Sequence, residues 1–528
     1  MLVRIFAGAL VVSLAACHHH TSAPAGSGDA SVHDQGMPPP DLTTLVFSDF
    51  PSTSQSDPGL PADVATQLGA SNGAAGTAPC VSEPAMGALI PNNWTPLYFE
   101  WSSTGNLYEL RLHVENQQND LVVYTTATTY TMPAAMWTAL ASHSADLDIT
   151  VSLRSATLVS NAVSATSLAA TGTVRIAPVA AQGNIVYWTT TNGSALKGYG
   201  IGSATVSTLV SPAQLNDGTT CVGCHTSSPD GKYTFFSRQT TSAYSLDART
   251  VDGNATKAAA GDVSMNAFAH FTRTNQTLPV LSGAHYSATD AVAVSVLSGD
   301  DTANRSELVW TDLHATSGGT GIIARTGDPG QAAEPSWSHD GTKIAYASSP
   351  DVYDGRTSST DSDLYTVPYN DHKGGPAQAV PGASQPGTHE YYPVFSPDDT
   401  LLAFNESPQG ADTYNEPKAE VHVITATGGT SQRLSANDPP ACTGRVSPGQ
   451  TNSWPRWSPE VTQLGGKSYY WIVFSSTRHP GGHPQLYVAG IVKEGNTVTD
   501  FPAVYVSAQP AGESNHTPAW DVFQIPVK

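Results

Sequence analysis

The sequence is poor in charged residues and strongly biased towards one sign of charge. Only 13% of its 528 residues are charged, and 44 Asp and Glu face 23 Lys and Arg, which gives a net charge of −21. A surface this acidic repels phosphate backbones, so we expect no nucleic-acid partner. Internal apolar runs stay shorter than the roughly 18 residues that a membrane-spanning helix needs. Contact with a membrane must therefore come from the N-terminus.

Helix-forming periodicity is also scarce. Hydrophobic residues make up 39% of the chain and are spread thinly among 46 Gly, 38 Pro and many Ser and Thr. This distribution excludes a helical bundle and is typical of an all-β protein with many turns. The length predicts two or more domains, or one large β architecture. The sequence contains no Gly-x-Ser-x-Gly motif and no phosphate-binding loop, so we do not expect a hydrolase.

Residues 1–17 have the layout of an export signal. Arg4 precedes an apolar stretch over residues 5–16, which ends in the letters Leu-Ala-Ala before Cys17. This ending resembles a bacterial lipobox, which implies that Cys17 becomes the first residue and carries a diacylglycerol. We expect a lipid-anchored protein of the bacterial cell envelope, at the outer membrane because His18 follows the Cys, on its periplasmic or its surface side. The alternative is an ordinary signal peptide with an incidental Cys.

Two regions precede the repeats described below. Residues 18–79 are rich in Ala, Ser, Gly and Pro and have few aromatic residues, so we expect a flexible tether. Residues 80–173 contain short segments with apolar residues at every second place, such as 107–114. That alternation predicts a β-sandwich, similar to a fibronectin-III or other immunoglobulin-like module in architecture.

Residues 174–528 contain an internal repeat built around the letters Ser-Pro-Asp-Gly. This tetrapeptide forms a tight turn between two strands, because Pro fixes φ and Gly accepts a positive φ. The copies are Ser228–Phe236, Pro335–Tyr346, Pro393–Phe404, Pro455–Pro459 and a shortened one, Pro518–Asp521. They resemble the WD40-like (PD40) repeats of TolB-type β-propellers, and the resemblance implies a ring of four-stranded blades.

Counting repeats predicts six blades, or seven if the degenerate stretch 268–326 holds two. The first blade, around Asn184–Trp188, lacks an innermost strand of its own. We expect the strand around Trp520 to complete that blade and close the ring. One closed ring on a tether predicts a monomer.

The second blade carries Cys221-Val222-Gly223-Cys224-His225, the attachment pattern of c-type haem. In that chemistry two thiols add to the haem vinyl groups and the following His binds the iron. We therefore predict a surface-anchored haem c lipoprotein for electron transfer or redox sensing, with Cys221 and Cys224 as anchors and His225 as axial ligand. A redox reaction on a small molecule stays open.

Two other interpretations of the motif remain. Cys221 and Cys224 would form a disulfide in an oxidising compartment, or they would bind a metal with His225. With the disulfide, the protein would be a non-catalytic module that binds a protein or a glycan.

Aligning the repeats places the motif just before an innermost strand, at one mouth of the propeller channel. The residues expected around it are His389, Glu390, Tyr392, Trp454, Asn515 and His516. His389 is the first candidate for a second axial ligand of the iron, followed by His516, Met265, His270 and His285. Tyr391, Tyr392 and Trp454 would pack on the haem or contact a redox or protein partner at the mouth.

Two smaller predictions complete the sequence analysis. Cys80 and Cys442 would pair and staple the sandwich to the propeller, or either would stay free. The acidic loop would hold calcium through carboxylate oxygens, although it lacks EF-hand spacing and a solvated loop is the alternative. Its residues are Asp351, Asp354, Asp361 and Asp363.

Overall fold

The computed structural model consists almost wholly of short β-strands, which confirms the all-β prediction. It describes residues 32–34 (backbone only), 42–69, 76–191, 193–241, 244–251, 262–271, 278–297, 306–350, 352–353, 356–357, 361–410 and 413–525. Cys17 and the export signal lie outside these residues, so the lipid anchor stays a prediction. Within the described ranges, no helix has the length and apolar character needed to cross a membrane.

Six small antiparallel sheets, blades 1 to 6, form a ring and confirm the propeller. The stretch 268–326 contributes one blade, blade 3, so the smaller of the two predicted blade numbers is correct. With the inner strand first, the strands are Asn515–Asp521, Asn184–Thr189, Ala195–Gly200 and Ser207–Val210 in blade 1; Thr219–Ser227, Tyr233–Thr240 and Tyr244–Thr250 in blade 2; Val280–Tyr286, Ala291–Leu297, Glu307–Asp312 and Thr320–Ile322 in blade 3; Gln331–Trp337, Lys343–Ser349, Asp363–Pro368 and Gln378–Ala379 in blade 4; Thr388–Phe395, Leu401–Pro408, Glu420–Thr425 and Gln432–Arg433 in blade 5; Ser453–Trp457, Lys467–Ser476, Gln485–Glu494 and Thr497–Asp500 in blade 6.

Shorter elements border the blades. Val461–Leu464 and Val504–Tyr505 extend the sheet of blade 6, and Val32–Asp34 pairs with Val461–Leu464 in parallel. The remaining elements are the strand pair Ala324–Thr326 and Gly374–Pro376, the hairpin Val352–Tyr353 and Arg356–Thr357, the helices Pro212–Leu215 and Met265–Phe271, and the 3-10 turns Ser435–Asn437 and Ala441–Thr443.

The repeated turns have the geometry that the sequence predicts. Gly231 and Gly341 adopt φ values of 68° and 74°, and Asp399 takes the same place in blade 5 with φ 55°. A side chain at Gly231 would put its Cβ 2.0 Å from the carbonyl oxygen of Val522, so glycine is required there. The serine that opens each turn bonds to the aspartate two residues on, in the pairs Ser228–Asp230, Ser338–Asp340 and Ser396–Asp398.

Blade 1 takes its inner strand from far along the chain. Asn515–Asp521 pairs antiparallel with Asn184–Thr189. Trp520 on this strand is buried, and its Nε1–H donates to the carbonyl of Gln182 at 2.8 Å. The predicted completion of the first blade is therefore confirmed.

The N-terminal domain is a sandwich of two sheets with one helix, Ala134–His143. One sheet has the strand order Gln55–Ser56, Leu121–Thr125, Leu107–His113, Asp148–Val159, Ala170–Ile176 and Leu89–Ile90, with Ala162–Ser164 paired to Asp148–Val159. The other has the order Cys80–Glu83, Tyr98–Ser102 and Thr129–Thr131. Alternate residues of the long strands, such as Leu110, Leu112 and Val151, fill the core between the sheets.

The segment 42–69 differs from the expected tether because it packs on the sandwich. Gln55–Ser56 adds a strand to the larger sheet, and Val64–Leu68 forms a short helix. Phe50 is 1% exposed, and the ring of Phe47 stacks on His143 at 4.2 Å. A few widely spaced apolar residues thus hold a segment whose overall composition is that of a linker.

The sandwich and the propeller share one hydrophobic core. Leu89 of the sandwich belongs to the same buried cluster as Trp471 of blade 6 and Tyr187 of blade 1. Cys80 and Cys442 form a disulfide across this junction, with their Cα atoms 5.3 Å apart, which is the pairing predicted from the sequence. Core and disulfide together join the two domains into one body.

Two carboxylates with opposite electrostatic surroundings lie at this junction. Glu83 is buried, and its Oε2 accepts the backbone N–H of Tyr505 at 3.1 Å. Burial raises the pKa of Glu83 to about 8. Glu100 lies 3.4 Å from Nε2 of His479, and the hydrogen bond from that imidazole holds the pKa of Glu100 below its ordinary value.

Candidate site in the propeller channel

The inner strands of five blades bulge at the same repeat position. In each strand the pairing with the second strand shifts there by one residue. The residues at this position are Cys224, Glu334, Tyr392, Trp454 and Thr517, and the last four have φ between 45° and 62°. This agreement confirms the alignment of the repeats made from the sequence.

Side chains at the bulges meet across neighbouring blades. Glu334 Oε2 accepts the backbone N–H of Tyr392 at 3.0 Å, and the ring of Tyr392 stacks on that of Trp454 at 3.9 Å. The bulge positions therefore surround the axis of the ring, where they line its central channel.

The motif 221–225 lies inside the inner strand of blade 2, Thr219–Ser227, and not before that strand as we expected. Ladder pairs flank the bulge on both sides, with Cys221 opposite Gln239 and His225 opposite Phe236. The inner strands begin earlier than the repeats suggest, because each inner strand also pairs with the second strand on the N-terminal side of its bulge. The motif consequently lines the channel wall and does not sit at its mouth.

His225 points towards blade 1. Its Nε2 lies 3.1 Å from the carbonyl oxygen of Val186, while its Nδ1 is buried and has no hydrogen-bond partner among the described residues. Burial, with a smaller contribution from the charges of Arg456 and His516, lowers the pKa of His225 to about 4, although the hydrogen bond to Val186 acts in the opposite direction. The imidazole is therefore neutral at pH 7, with its proton on Nε2 because a carbonyl can only accept.

The fit of the motif to a haem can be tested on this strand. The side chains of Val222 and His225 lie on one face of the strand, since their partners in the second strand, Arg238 and Phe236, are two residues apart. The side chain of Cys221, which pairs with Gln239, lies on the opposite face. A haem held through this motif needs both thiols and the imidazole on one porphyrin. The strand as folded does not meet that requirement, because Cys221 and His225 face opposite ways.

Cys221 and Cys224 stand as partly exposed thiols, not as the disulfide that the alternative interpretation predicted. The Sγ of Cys221 lies 3.5 Å from the carbonyl oxygen of Val222.

His389, the first candidate for the second iron ligand, is fully buried in blade 5, across the ring from blade 2. Its ring packs edge-on against Tyr391 at 5.0 Å. His516 is nearer to the motif, because its ring lies 4.5 Å from that of Trp188, whose indole in turn lies 3.6 Å from the Cβ position at Gly223. Its Nδ1 lies 3.0 Å from the hydroxyl of Tyr414. The structure thus brings His516, and not His389, close to His225.

The other three candidates lie away from the motif. Met265 is 78% exposed on its helix. His270 bonds to the carbonyl of Gly318 at 3.1 Å, and His285 bonds to Asp290 at 2.7 Å. The two histidines therefore have local structural roles on the blade 3 side of the ring.

The aromatic residues expected to contact a partner are mostly enclosed. Tyr391 and Tyr392 are 0% and 3% exposed, and only Trp454 is partly accessible. Tyr414 packs edge-on against Trp454 at 6.1 Å. Tyr391 and Tyr392 pack the ring together and are not available as a contact surface, contrary to the prediction.

Arg456 is the channel residue that sequence reasoning missed. Its side chain is partly buried, and this burial lowers its pKa to about 10. Its Nη1 donates to the carbonyl of Pro455 at 2.7 Å, and its Cζ lies 6.0 Å from the ring of Trp454. The signal was present in the repeats, since the equivalent positions hold uncharged Thr226, Ser336, Val394 and Ala519.

The described part of the chain contains no group of three or more His, Cys, Asp or Glu placed to hold a metal ion. Asp361 and Asp363 of the acidic loop are described, and burial, with the nearby charges of Asp361 and Asp328, raises the pKa of Asp363. Asp351 and Asp354 lie outside the described residues. The calcium site stays a prediction.

No family model matches the chain. The comparison with curated proteins also gave no match. Among solved structures, the chain is similar to a putative TolB from Agrobacterium tumefaciens, with 14% identity, 64% of this chain and 98% of that chain covered, and a TM-score of 0.33. It is also similar to Kuenenia stuttgartiensis hydrazine synthase, with 12% identity, coverages of 64% and 46%, and a TM-score of 0.38.

A third similar structure is the tricorn protease, with 12% identity, 67% of this chain and 34% of that chain covered, and a TM-score of 0.29. The chain therefore spans about half of the hydrazine synthase chain and a third of the protease chain. TM-scores this low carry no argument about activity. The propeller is identified from the sheets and bulges of this chain itself.

Proposed function

We propose that this protein is a non-catalytic binding module of the bacterial cell envelope, held by a lipid on Cys17, which presents one face of its propeller to a basic protein partner. The observation that carries the proposal is the Cys80–Cys442 disulfide across a shared core, which makes sandwich and propeller one rigid body. Such disulfides are typical of exported proteins. A rigid body loses little conformational freedom when it binds.

Loop length distinguishes the two faces of the propeller. On the turn face, the inner strand passes to the second strand through tight turns such as 338–342 and 396–400. On the opposite face, which we call the long-loop face, the second strand ends at Leu297 in blade 3, Ser349 in blade 4 and Pro408 in blade 5, and the sequence continues for 9, 13 and 11 residues before the third strand begins. Long connections on a rigid scaffold are the usual place for recognition, so we assign the partner to the long-loop face.

Charge specifies the kind of partner. The three long connections together contain seven Asp or Glu and three Lys or Arg. With a net charge of −21 on the whole chain, this face favours a protein that presents Lys and Arg.

Site-specific photo-crosslinking in the native envelope tests the proposal. A photoreactive residue at Glu416 or at Asp361 places the probe on the long-loop face, and one at Asp371 is the matched control on the turn face. We expect one discrete crosslinked partner from the first two positions only, weakened when Glu416→Lys is added to the Asp361 probe. Equal crosslinking from Asp371, or none from the long-loop face, would contradict the proposal.

Covalent haem is the second candidate, and the motif itself favours it. Cys221 and Cys224 remain thiols in a chain whose Cys80 and Cys442 pair, and His225 keeps a neutral imidazole. The opposite faces of Cys221 and His225 speak against it, since binding would require the strand 219–227 to leave its sheet. The candidate function is then electron transfer or redox sensing.

A haem stain and a reduced-minus-oxidised spectrum decide this candidate. The protein is exported in a host that matures c-type cytochromes, beside the double variant Cys221→Ala/Cys224→Ala. Covalent haem that disappears in the variant would establish the cytochrome and displace the non-catalytic proposal. Absence of haem from the unaltered chain would end the haem prediction and leave the crosslinking test untouched.

A further inference from the structure

The connection between the second and third strands of blade 5 contacts two other blades. We call its residues 413–419 the strap. The hydroxyl of Tyr414 lies 3.0 Å from Nδ1 of His516 in blade 1, within hydrogen-bond distance. The ring of Tyr414 also meets that of Trp454 in blade 6 edge-on, at 6.1 Å. A segment that belongs to blade 5 therefore reaches over blade 6 to blade 1.

These contacts lie at the end of the channel that opens on the long-loop face. Trp454 and His516 are the second residues of the inner strands Ser453–Trp457 and Asn515–Asp521. Inner strands begin on the long-loop face, because they are antiparallel to the second strands that end there. Trp454 also occupies the bulge position that lines the channel. The side chain of Tyr414 is thus placed at the channel opening.

The two ends of the strap are fastened differently. At its base, the carbonyl of Pro417 accepts the N–H of Thr451 at 3.3 Å, and that of Ala419 accepts the N–H of Asn452 at 3.2 Å. Tyr414, nearer the tip, reaches blades 6 and 1 through its side chain, by one hydrogen bond and edge-on ring contacts. The tip can therefore swing away while the backbone bonds hold the base, as in a local opening.

We propose that the strap is a lid on the channel, with Tyr414 as its latch, and that release of the latch opens a path from the long-loop face to the thiol of Cys224. This inference goes beyond the proposed function, because it concerns access to the channel and not the recognition of a protein partner.

A row of ring contacts connects the latch with the motif of blade 2. The ring of Tyr414 lies 5.9 Å from that of His516, which lies 4.5 Å from that of Trp188. The indole of Trp188 is 3.6 Å from the Cβ position at Gly223, the residue before Cys224. Cys224 is partly exposed and holds the bulge position of its strand. Loss of the latch therefore loosens the layer of rings beside this thiol.

The rate at which a maleimide modifies Cys224 measures the opening. The intact exported protein carries Cys221→Ser, so that Cys224 has no neighbouring thiol, and mass spectrometry of its peptide follows the reaction at pH 7. Tyr414→Phe keeps the ring and loses the hydrogen bond, so the reaction should be about 2- to 10-fold faster. His516→Phe should have the same effect. The double variant should be no faster than either single one, because both changes remove the same bond.

Two further variants complete the test. Tyr414→Ala also loses the ring contacts and should accelerate the reaction more than about 10-fold. Asn415→Ala, a matched change at an exposed neighbour on the strap, should leave the rate unchanged.

Urea unfolding of each variant separates opening of the strap from loss of overall stability. We expect the unfolding constant of Tyr414→Ala to rise by less than its labelling rate. Equal labelling of Tyr414→Ala and its parent would overturn the proposal. A gain in labelling matched by the same fold-increase in the unfolding constant would also overturn it, because unfolding of the whole chain would then expose the thiol. Additive effects of Tyr414→Phe and His516→Phe would refute the role of their hydrogen bond as the latch.

Discussion

Replacing the buried carboxylate at the junction between sandwich and propeller should stabilise the protein at alkaline pH. Glu83 has a pKa of about 8 in the folded protein, against an ordinary value of 4.5. Between these pH values the folded chain holds a proton that the unfolded chain has released. The free energy of unfolding therefore falls as the pH rises through this window. Above pH 8 the stability that comes from the protonated Glu83 is lost completely.

The structure gives the size of this effect. A difference of about 3.5 pKa units corresponds to about 5 kcal/mol, which is the upper limit of the cost at pH 8 and above. Glu83→Gln removes the cost and keeps an oxygen that accepts the Tyr505 N–H. The variant should equal the unaltered protein at pH 4.5 and exceed it by several kcal/mol at pH 9.

Urea unfolding followed by tryptophan fluorescence at pH 4.5, 7 and 9 measures the difference. Glu100→Gln is the matched control at the same junction and should act in the opposite direction. Its pKa is lowered by His479, so its charge stabilises the fold above pH 4.5 and that contribution is lost at lower pH. A Glu83→Gln variant without any gain between pH 4.5 and pH 9 would refute the reasoning.

Three further outcomes follow from the packing. Cys442→Ser removes the junction disulfide and should cost about 2–5 kcal/mol in chemical denaturation, whereas Cys221→Ser should cost less than about 1 kcal/mol; similar losses would contradict a structural bridge. Asp328→Ala removes one of the two carboxylates that pair with Arg325, whose side chain is 1% exposed, and should lower stability by about 1–3 kcal/mol in thermal melts. Trp520→Ala should cost about 3–5 kcal/mol and would be harmless only if the closing strand were dispensable.

Local signals predicted the propeller well. The Ser-Pro-Asp-Gly turns depend on residues within five positions of one another, and the fold keeps their hydrogen bonds in blades 2, 4 and 5. The alignment of the repeats also assigned Cys224 correctly to the same repeat position as Glu334 and Trp454. These features follow from sequence because short-range geometry fixes them.

Features that depend on distant contacts were predicted less well. The segment 42–69 has the composition of a tether, yet Phe50 is buried by a sheet whose residues lie far along the chain. The position of the motif inside its strand depends on a bulge, which spacing alone does not reveal. Arg456 could have been found as the only charged residue at its repeat position, but its partial burial depends on the closed ring.

The closing strand of blade 1 has a consequence for the order of folding. Trp520 bonds to Gln182, 338 positions away in sequence, and the disulfide spans 362 positions. During synthesis, blades 2 to 6 emerge before blade 1 can receive its inner strand, so a partly made ring exposes unpaired strand edges on both sides of the gap. Such edges invite aggregation, and contacts this remote form slowly. A partly synthesised chain is therefore open to aggregation for longer than a chain of local hairpins would be.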